Sequence, residues 1–320
     1  MRPLTHILSA RSSLQIPKGL SSHATSNSMS LDLVNLKRLM QFGEGRIETM
    51  IGLIDGPIAI DHPDLSHANF REIPGRQGGH CTRASSPACM HGTFIAGIFS
   101  GRRGSETPSI SPGCTLLVRP IFAETLLALE EMPSASPEEL ATAIVDCVSA
   151  GAHFINLSVA LERSSKSELC LEEALDYSAK RSVIVVAAAG NQGTIGSSAI
   201  TRHPWVIPVV ACDLRGRPIY DSNFGNSIGR RGLSAPGYRI TSVGTDGKPP
   251  TFSGTSVAAP FVTGTFALLK SMFPSATAAD LKISVTRTTA LRRSTVVPPL
   301  LDACAAYQFL AAIYGHPRTS

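Results

Sequence analysis

Long apolar runs are missing from this 320-residue chain. No stretch reaches the ~18 consecutive apolar residues that a membrane span needs, and the N-terminus lacks the apolar core of a signal peptide. No membrane partner and no ordinary secretion are expected. No C-x-x-C spacing occurs among the seven cysteines, an odd number, which argues against a complete disulfide framework or a zinc site. A reduced, cytoplasmic setting fits that usage, with no metal and no cofactor expected. Cys81 and Cys89 could close a short loop, although neighbouring thiols in a cytosolic protein more often stay reduced. Charge is also sparse, at 17% of residues. The excess of +5, from 29 basic and 24 acidic residues, is scattered in pairs such as Arg102-Arg103, Arg230-Arg231 and Arg292-Arg293. These read as solvated loop charges, and no nucleic-acid stripe emerges. Acids are absent from residues 1 to 31, where many serines accompany Arg2, Arg11 and Lys18. That composition is loosely like an organelle transit peptide, but a disordered leader, or a true start at Met29, is the plainer reading. Residues 1–30 are therefore expected to be disordered and 31–315 to form one domain.

What is present suits a large buried core: 43% of residues are hydrophobic, in runs broken by turn residues. After a short helix over Leu31 to Met40, the run Met50 to Ile54 shows no polar alternation, as in a strand covered on both faces. Leu116 to Ile121, Phe154 to Val159, Val183 to Ala189 and Val206 to Val210 read the same way. Ser136-Pro137-Glu138-Glu139 has the form of a capping box opening a helix that ends at Gly151. Further helices are expected at Ser167 to Lys180, Val257 to Met272, Thr277 to Thr288 and Leu301 to Tyr314. Strands alternating with helices predict a doubly wound α/β fold, a mainly parallel sheet flanked by helices.

In such sheets ligands bind beyond the carboxyl ends of the strands, which draws attention to Asp55, closing the first run before the Gly56-Pro57 turn. An aspartate capping that turn is an equal alternative at this point. His91 leads Gly92-Thr93-Phe94-Ile95-Ala96-Gly97, a pattern that suits a helix starting at the histidine. Alone it reads as a surface residue. Ser256 stands in Ser253-Gly254-Thr255-Ser256-Val257-Ala258-Ala259-Pro260, at the start of an apolar helix whose unpaired N–H groups favour a developing oxyanion. Pro260 is placed within about the first turn, where its missing N–H costs little. An N-capping serine is the bland alternative. Ala187-Ala188-Ala189-Gly190-Asn191 ends another buried strand in an asparagine whose amide could donate to the same oxyanion, or could simply occupy a turn.

Together and in this order, these segments resemble the subtilisin-like serine peptidases, whose triad runs Asp, His, Ser along the chain. The likeness spans roughly Leu33 to Ala290, and Gly-Thr-Ser-Val-Ala-Ala-Pro is its most specific motif. It implies a subtilisin-like fold and a serine endopeptidase with Asp55, His91 and Ser256 as catalytic residues and Asn191 at the oxyanion. It also implies that Ser158, Val159 and Ala160, with Ala189 and Gly190, bind an extended peptide or protein substrate. Asp61-His62-Pro63-Asp64-Leu65 and Ser234-Ala235-Pro236-Gly237 match further family segments and read as shape-setting turns.

The chain departs from the family where a glycine is replaced by Ala160, which would narrow or redirect the substrate pocket. The basic loop Ser100 to Thr107 lacks the family's calcium-loop asparagines, and Ala59 stands where another calcium ligand is expected, so no calcium is expected there. Val257 replaces the methionine that commonly follows the nucleophile. Few residues precede the first strand, so folding is expected to need no long prosegment. Asp55-Gly56-Pro57, the calcium-poor frame and the lack of an export signal are similar to the cyanobactin-maturation proteases and point to a ribosomal precursor peptide as a candidate substrate. A non-catalytic binding scaffold on the same fold is the alternative.

Overall fold

The computed structural model of the chain describes residues 22–124, 135–158, 168–287 and 295–317. Its centre is a set of strands, β1 (Met50–Asp55), β2 (Asn69–Glu72), β3 (Thr115–Pro120), β4 (Phe154–Leu157), β5 (Ile184–Ala188), β6 (Ile207–Cys212) and β7 (Leu233–Pro236). They form one sheet in the order β2-β3-β1-β4-β5-β6-β7, parallel at every pairing. From β1 the chain places β2 at one edge, returns to fill the place between them with β3, and then crosses to β4 on the other side of β1. Asp55, the last residue of β1, therefore sits at the point where the winding reverses, which is where open α/β sheets place their ligand crevice. A two-stranded antiparallel ribbon, β8 (Ile240–Thr241) and β9 (Thr251–Phe252), follows.

Helices α1 (Ser22–Leu33), α2 (Leu36–Met40), α3 (Pro87–Ser100), α4 (Pro137–Ser149) and α5 (Glu168–Lys180) are joined by the short α6 (Ala199–Arg202) and α7 (Asn226–Arg231). The chain ends with α8 (Thr255–Met272), α9 (Ala278–Thr286) and α10 (Ala303–Tyr314). Side chains alternate across each strand, so Ile51 and Leu53 enter a core shared with α2, α3, α8 and α10. Ile54, Ile155 and Leu157 enter a second core under α4 and α5. Burial on both faces is why the strand runs show no polar alternation.

Several expectations change in detail. Of the stretch expected to be disordered, residues 22–30 belong to α1, and Asn27 ties that helix inward by donating to the Thr241 carbonyl at 2.8 Å. The helix expected over Leu31 to Met40 is two helices, broken at Asn35, whose φ is 55°. Leu233 to Pro236 is a strand where a turn was expected, paired to β6. The capping box is only half formed. Ser136 Oγ accepts from Glu139 N, while the Glu139 carboxylate accepts from Arg119 instead. The arginine pairs are not simply solvated either: Arg103 donates to the carbonyls of Met40, Gly43 and Ile110, stapling its loop to the end of α2.

Arg119, hidden in an apolar strand, is 2% exposed and donates to Asp146 and Glu139 at 2.9 Å each and to Pro120 O at 2.8 Å. Burial would depress the guanidinium, but the hydrogen bonds of both carboxylates overcome that and hold it above its ordinary value. Replacing Arg119 with methionine leaves the largely buried Glu139 carboxylate of α4 with the exposed Arg76, at 3.3 Å, as its remaining ion-pair partner among the described residues. The expected loss is about 3 kcal/mol, the low end for a broken buried pair, because Asp146 still reaches solvent. A urea midpoint that falls at unchanged slope would register it.

Lys282 on α9 lies 4.5 Å above the Trp205 ring centroid and donates to the Pro204 and Trp205 carbonyls. Burial first, and the Arg231 charge second, lower its ammonium to about 8. Above that pH the folded state holds fewer protons than the unfolded chain, so this group makes stability rise from about pH 8 toward ~10.4, the free lysine value. Below pH 8 its contribution is level. Lys282→Met is expected to flatten the climb of the thermal midpoint across that window, and an identical climb in the variant would contradict the assignment.

Candidate active site

Asp55 and His91 meet through a 2.7 Å hydrogen bond from His91 Nδ1 to Asp55 Oδ1, with Asp55 fully buried. The same oxygen accepts from Gly56 N at 2.7 Å. Asp55 Oδ2 is buried without a hydrogen-bond partner. A carboxylate acceptor at Nδ1 dictates that this nitrogen carries the proton in the neutral ring, leaving Nε2 as the acceptor. Among the described residues Nε2 has no partner.

His91 does not start its helix. Ser86 and Pro87 open α3, and His91 falls in the second turn. The serine-proline pair that opens α4 was the available signal here too. α3 can lie this close to β1 only because both surfaces are glycine: a Cβ on Gly56 would stand 2.0 Å from Ala88 O, and one on Gly92 2.4 Å from Gly56 O. That approach seats the imidazole on Asp55.

Ser256 is the second residue of α8, after Gly254 at the N-cap with φ 142°. A side chain at Gly254 would press on the Asn191 amide, its Cβ 3.1 Å from Nδ2. Pro260 lies in the second turn, beyond the first-turn position expected, so its missing N–H leaves the Ser256 carbonyl without its helical donor. Ser158 Oγ fills that role at 3.0 Å. Ser158 in turn accepts from Asn156 Nδ2 at 2.8 Å, and Asn156 Oδ1 accepts from Thr263 Oγ1 at 2.8 Å. This relay ties the start of α8 to β4, the neighbour of β1. The Ser158 hydroxyl thus faces the helix; Val159 and Ala160 lie outside the described residues.

The first N–H groups of α8 are shared out unevenly. Thr255 N donates to Asn191 Oδ1 at 2.8 Å and Val257 N to Gly254 O at 3.2 Å, while Ser256 N donates to no described residue. Thr255 Oγ1 also donates to Asn191 Oδ1, at 3.0 Å. With its carbonyl held twice, the exposed Asn191 side chain keeps its Nδ2 end to donate. The N–H of Ser256 and the amide of Asn191, whose carbonyl is anchored on the preceding Thr255, are therefore both uncommitted as donors among the described residues, a pairing suited to a developing oxyanion.

The loop bearing Asn191 is clamped by Asn223, which had no place among the expected site residues. Asn223 Oδ1 accepts from Gln192 N, Thr194 N and Thr194 Oγ1, and its Nδ2 donates to Ala189 O and Gln192 Oε1. Gly190, at φ 104°, has no room for a side chain, since its Cβ would meet Asn223 Nδ2 at 2.3 Å. Only the turn-rich string Asp221-Ser222-Asn223 hinted at this.

A family model described as the Subtilase family matches residues 46–315. The chain is 29% identical over 252 residues to the thermostable alkaline protease of Halalkalibacterium halodurans, covering 77% of this chain and 63% of that protein. It is 31% identical to the thermophilic serine proteinase of Bacillus sp. strain AK1, covering 69% of this chain and 52% of that one. The chain thus spans under two thirds of the length of these curated relatives. Among solved structures, the prenylagaramide maturation protease PagA superposes with a TM-score of 0.75 at 28% identity, covering 87% of this chain and 98% of that chain. The self-cleaved protease domain of PatA gives 0.70 at 28% identity, covering 84% and 98%. The PatG macrocyclase domain shares the fold, with a TM-score of 0.74 at 20% identity, covering 87% of this chain and 96% of that one.

Proposed function

Because this chain belongs to the subtilase family, we propose that it is a serine endopeptidase in which Ser256 is the nucleophile, His91 the general base and Asp55 the group that orients and charges against the imidazole. The observation that carries this reading is the buried 2.7 Å Asp55–His91 pair at the winding reversal, with Nε2 left to accept a proton. His91 Nε2 takes the Ser256 proton as the hydroxyl attacks a peptide carbonyl, and Asp55 stabilises the imidazolium. Ser256 N and Asn191 Nδ2 hold the tetrahedral oxyanion. Collapse returns the proton to the leaving amine and leaves an acyl-enzyme, which water hydrolyses to the acid.

The substrate is an extended peptide bound by Ser158, Val159 and Ala160 together with Ala189 and Gly190. The likeness to the prenylagaramide maturation protease PagA, at 28% identity, supports the choice of a ribosomally made precursor peptide as that substrate. The folded wild type should react with a fluorophosphonate probe while Ser256→Ala does not; absence of labelling in the folded wild type would overturn the reading. Asn223→Ala is expected to lower kcat by about 10- to 100-fold with KM little changed, because displacing a reacting group by an ångström costs on that order. The labelling rate of that variant should fall in parallel.

A further inference from the structure

Three metal-ligating side chains outside the cleft converge beside the first turn of α3. Cys81, Cys89 and Glu124 each bring one ligand atom, all within 4.8 Å of one another. Each is fixed independently. Cys89, the third residue of α3, is buried where the unpaired N–H groups of a helix start favour a thiolate. Cys81 is held by its backbone N–H, which donates to Ile58 O at 2.9 Å, next to the His80–Ile58 bridge. The Glu124 carboxylate accepts from Thr82 N at 2.7 Å and from the Thr82 hydroxyl. Oε1 also accepts from Arg83 N at 3.4 Å, so Oε2, which among the described residues accepts from the Thr82 hydroxyl alone, is the oxygen that keeps a further lone pair.

In this structure the two sulfurs are joined, with Cα atoms 5.6 Å apart. The other described cysteines, Cys114, Cys147, Cys170, Cys212 and Cys304, are not disulfide-bonded. The pair is thus an isolated clasp, and once reduced it sets two thiols beside a carboxylate, a group that binds a divalent cation as the cation displaces the thiol protons. We propose that the dithiol form of this cluster binds one zinc-class divalent cation through Cys81 Sγ, Cys89 Sγ and a Glu124 oxygen. Two soft sulfurs and one carboxylate favour zinc over magnesium or calcium, and three protein ligands leave a fourth position for water. The metal and the disulfide are then alternative clasps at one place. In passing to the oxidised form, the two thiolates form one S–S bond and give two electrons to a small-molecule disulfide, which takes up two protons and leaves as two thiols while the cation is released. Either clasp closes the loop over 80–86 onto the first turn of α3, whose Ala88 carbonyl lies against Gly56 and whose Cys89 stands two residues before His91.

The test uses the full chain, reduced with a phosphine that is then removed without air, and titrated with Cd2+ as the zinc probe. Thiolate-to-metal absorption is followed, and Zn2+ is counted by equilibrium dialysis. One Cd2+ per chain is expected. Cys81→Ser should weaken binding about 100-fold or more and Glu124→Gln about 10-fold, whereas Cys304→Ser should leave it unchanged. Circular dichroism checks that each variant is folded. Absence of the absorption band, or a band that survives Cys81→Ser, overturns the proposal. So does a native thiol count of five after treatment with the phosphine, against seven cysteines in the chain, since the bond would then be a permanent structural one. None of these readouts depends on peptide hydrolysis, so failure here and failure of the peptidase reading are distinguishable.

Discussion

Ser256→Ala is expected to lower peptide hydrolysis on the order of a million-fold while leaving the fold and peptide binding almost unchanged. That factor corresponds to about 8 kcal/mol of transition-state stabilisation. The loss is so large because, in the proposed mechanism, the hydroxyl forms the covalent bond on which every later step depends. The variant retains the oxyanion donors, since Ser256 N is backbone and Asn191 is held by Thr255 rather than by Ser256. The backbone link from Ser158 Oγ to Ser256 O is likewise preserved. Residual hydrolysis by a water held near His91 should therefore remain measurable. Single-turnover kinetics with a chromogenic peptide check the magnitude, and equilibrium binding of the same peptide checks that the cleft is intact. A loss below about a hundredfold would remove Ser256 from the nucleophile's place.

Asp55→Asn is expected to cost about ten-thousand-fold in kcat, or about 5 kcal/mol, with little change in KM. The reason lies in how one oxygen is used. Asp55 Oδ1 accepts from both His91 Nδ1 and Gly56 N, and Oδ2 is buried without a partner. An asparagine that keeps its carbonyl in the Oδ1 place must bury an NH2 group in the Oδ2 place, where no described residue accepts from it. If the amide turns over, its NH2 group instead faces both Gly56 N and His91 Nδ1, and the ring is driven to carry its proton on Nε2. An imidazole protonated there cannot take the serine proton. The substitution removes a buried charge, so folding stability should stay within about 2 kcal/mol of wild type even as turnover collapses. Comparable turnover in Asp55→Asn would mean that His91 is oriented by something other than this carboxylate.

The residues proposed to carry the chemistry each stand at a break between local patterns that the sequence displays: Asp55 where an apolar run meets Gly-Pro, Ser256 where a glycine opens an apolar helix. The five apolar runs became β1, β3, β4, β5 and β6 with ends shifted by a residue or two. β2 and β7 escaped notice because Asn69–Glu72 is an edge strand with exposed polar residues and Leu233–Pro236 is four residues ending in proline. The start of α3 was missed because the run after His91 is more strongly apolar than the turn before it. Ser86-Pro87 carried the true boundary.

What the sequence determined by itself is the set of local events: buried strands, helix starts, and an ordered series of reactive side chains at their junctions. These follow from hydrophobic period, glycine and proline, and they act within a few residues. Only the tertiary structure decided which polar groups are occupied and which stay available. Pro260 orphans the Ser256 carbonyl locally, but the donor that satisfies it is Ser158, 98 residues earlier. The Asn191 carbonyl is claimed by Thr255, 64 residues later. Glu124 reaches the Cys81–Cys89 pair from the far end of β3. A hydrogen-bonding group can be spent only once or twice, and its partners come from segments that the parallel sheet alone brings together. For that reason the candidate side chains could be picked out along the chain, while which of their polar atoms stay uncommitted could not.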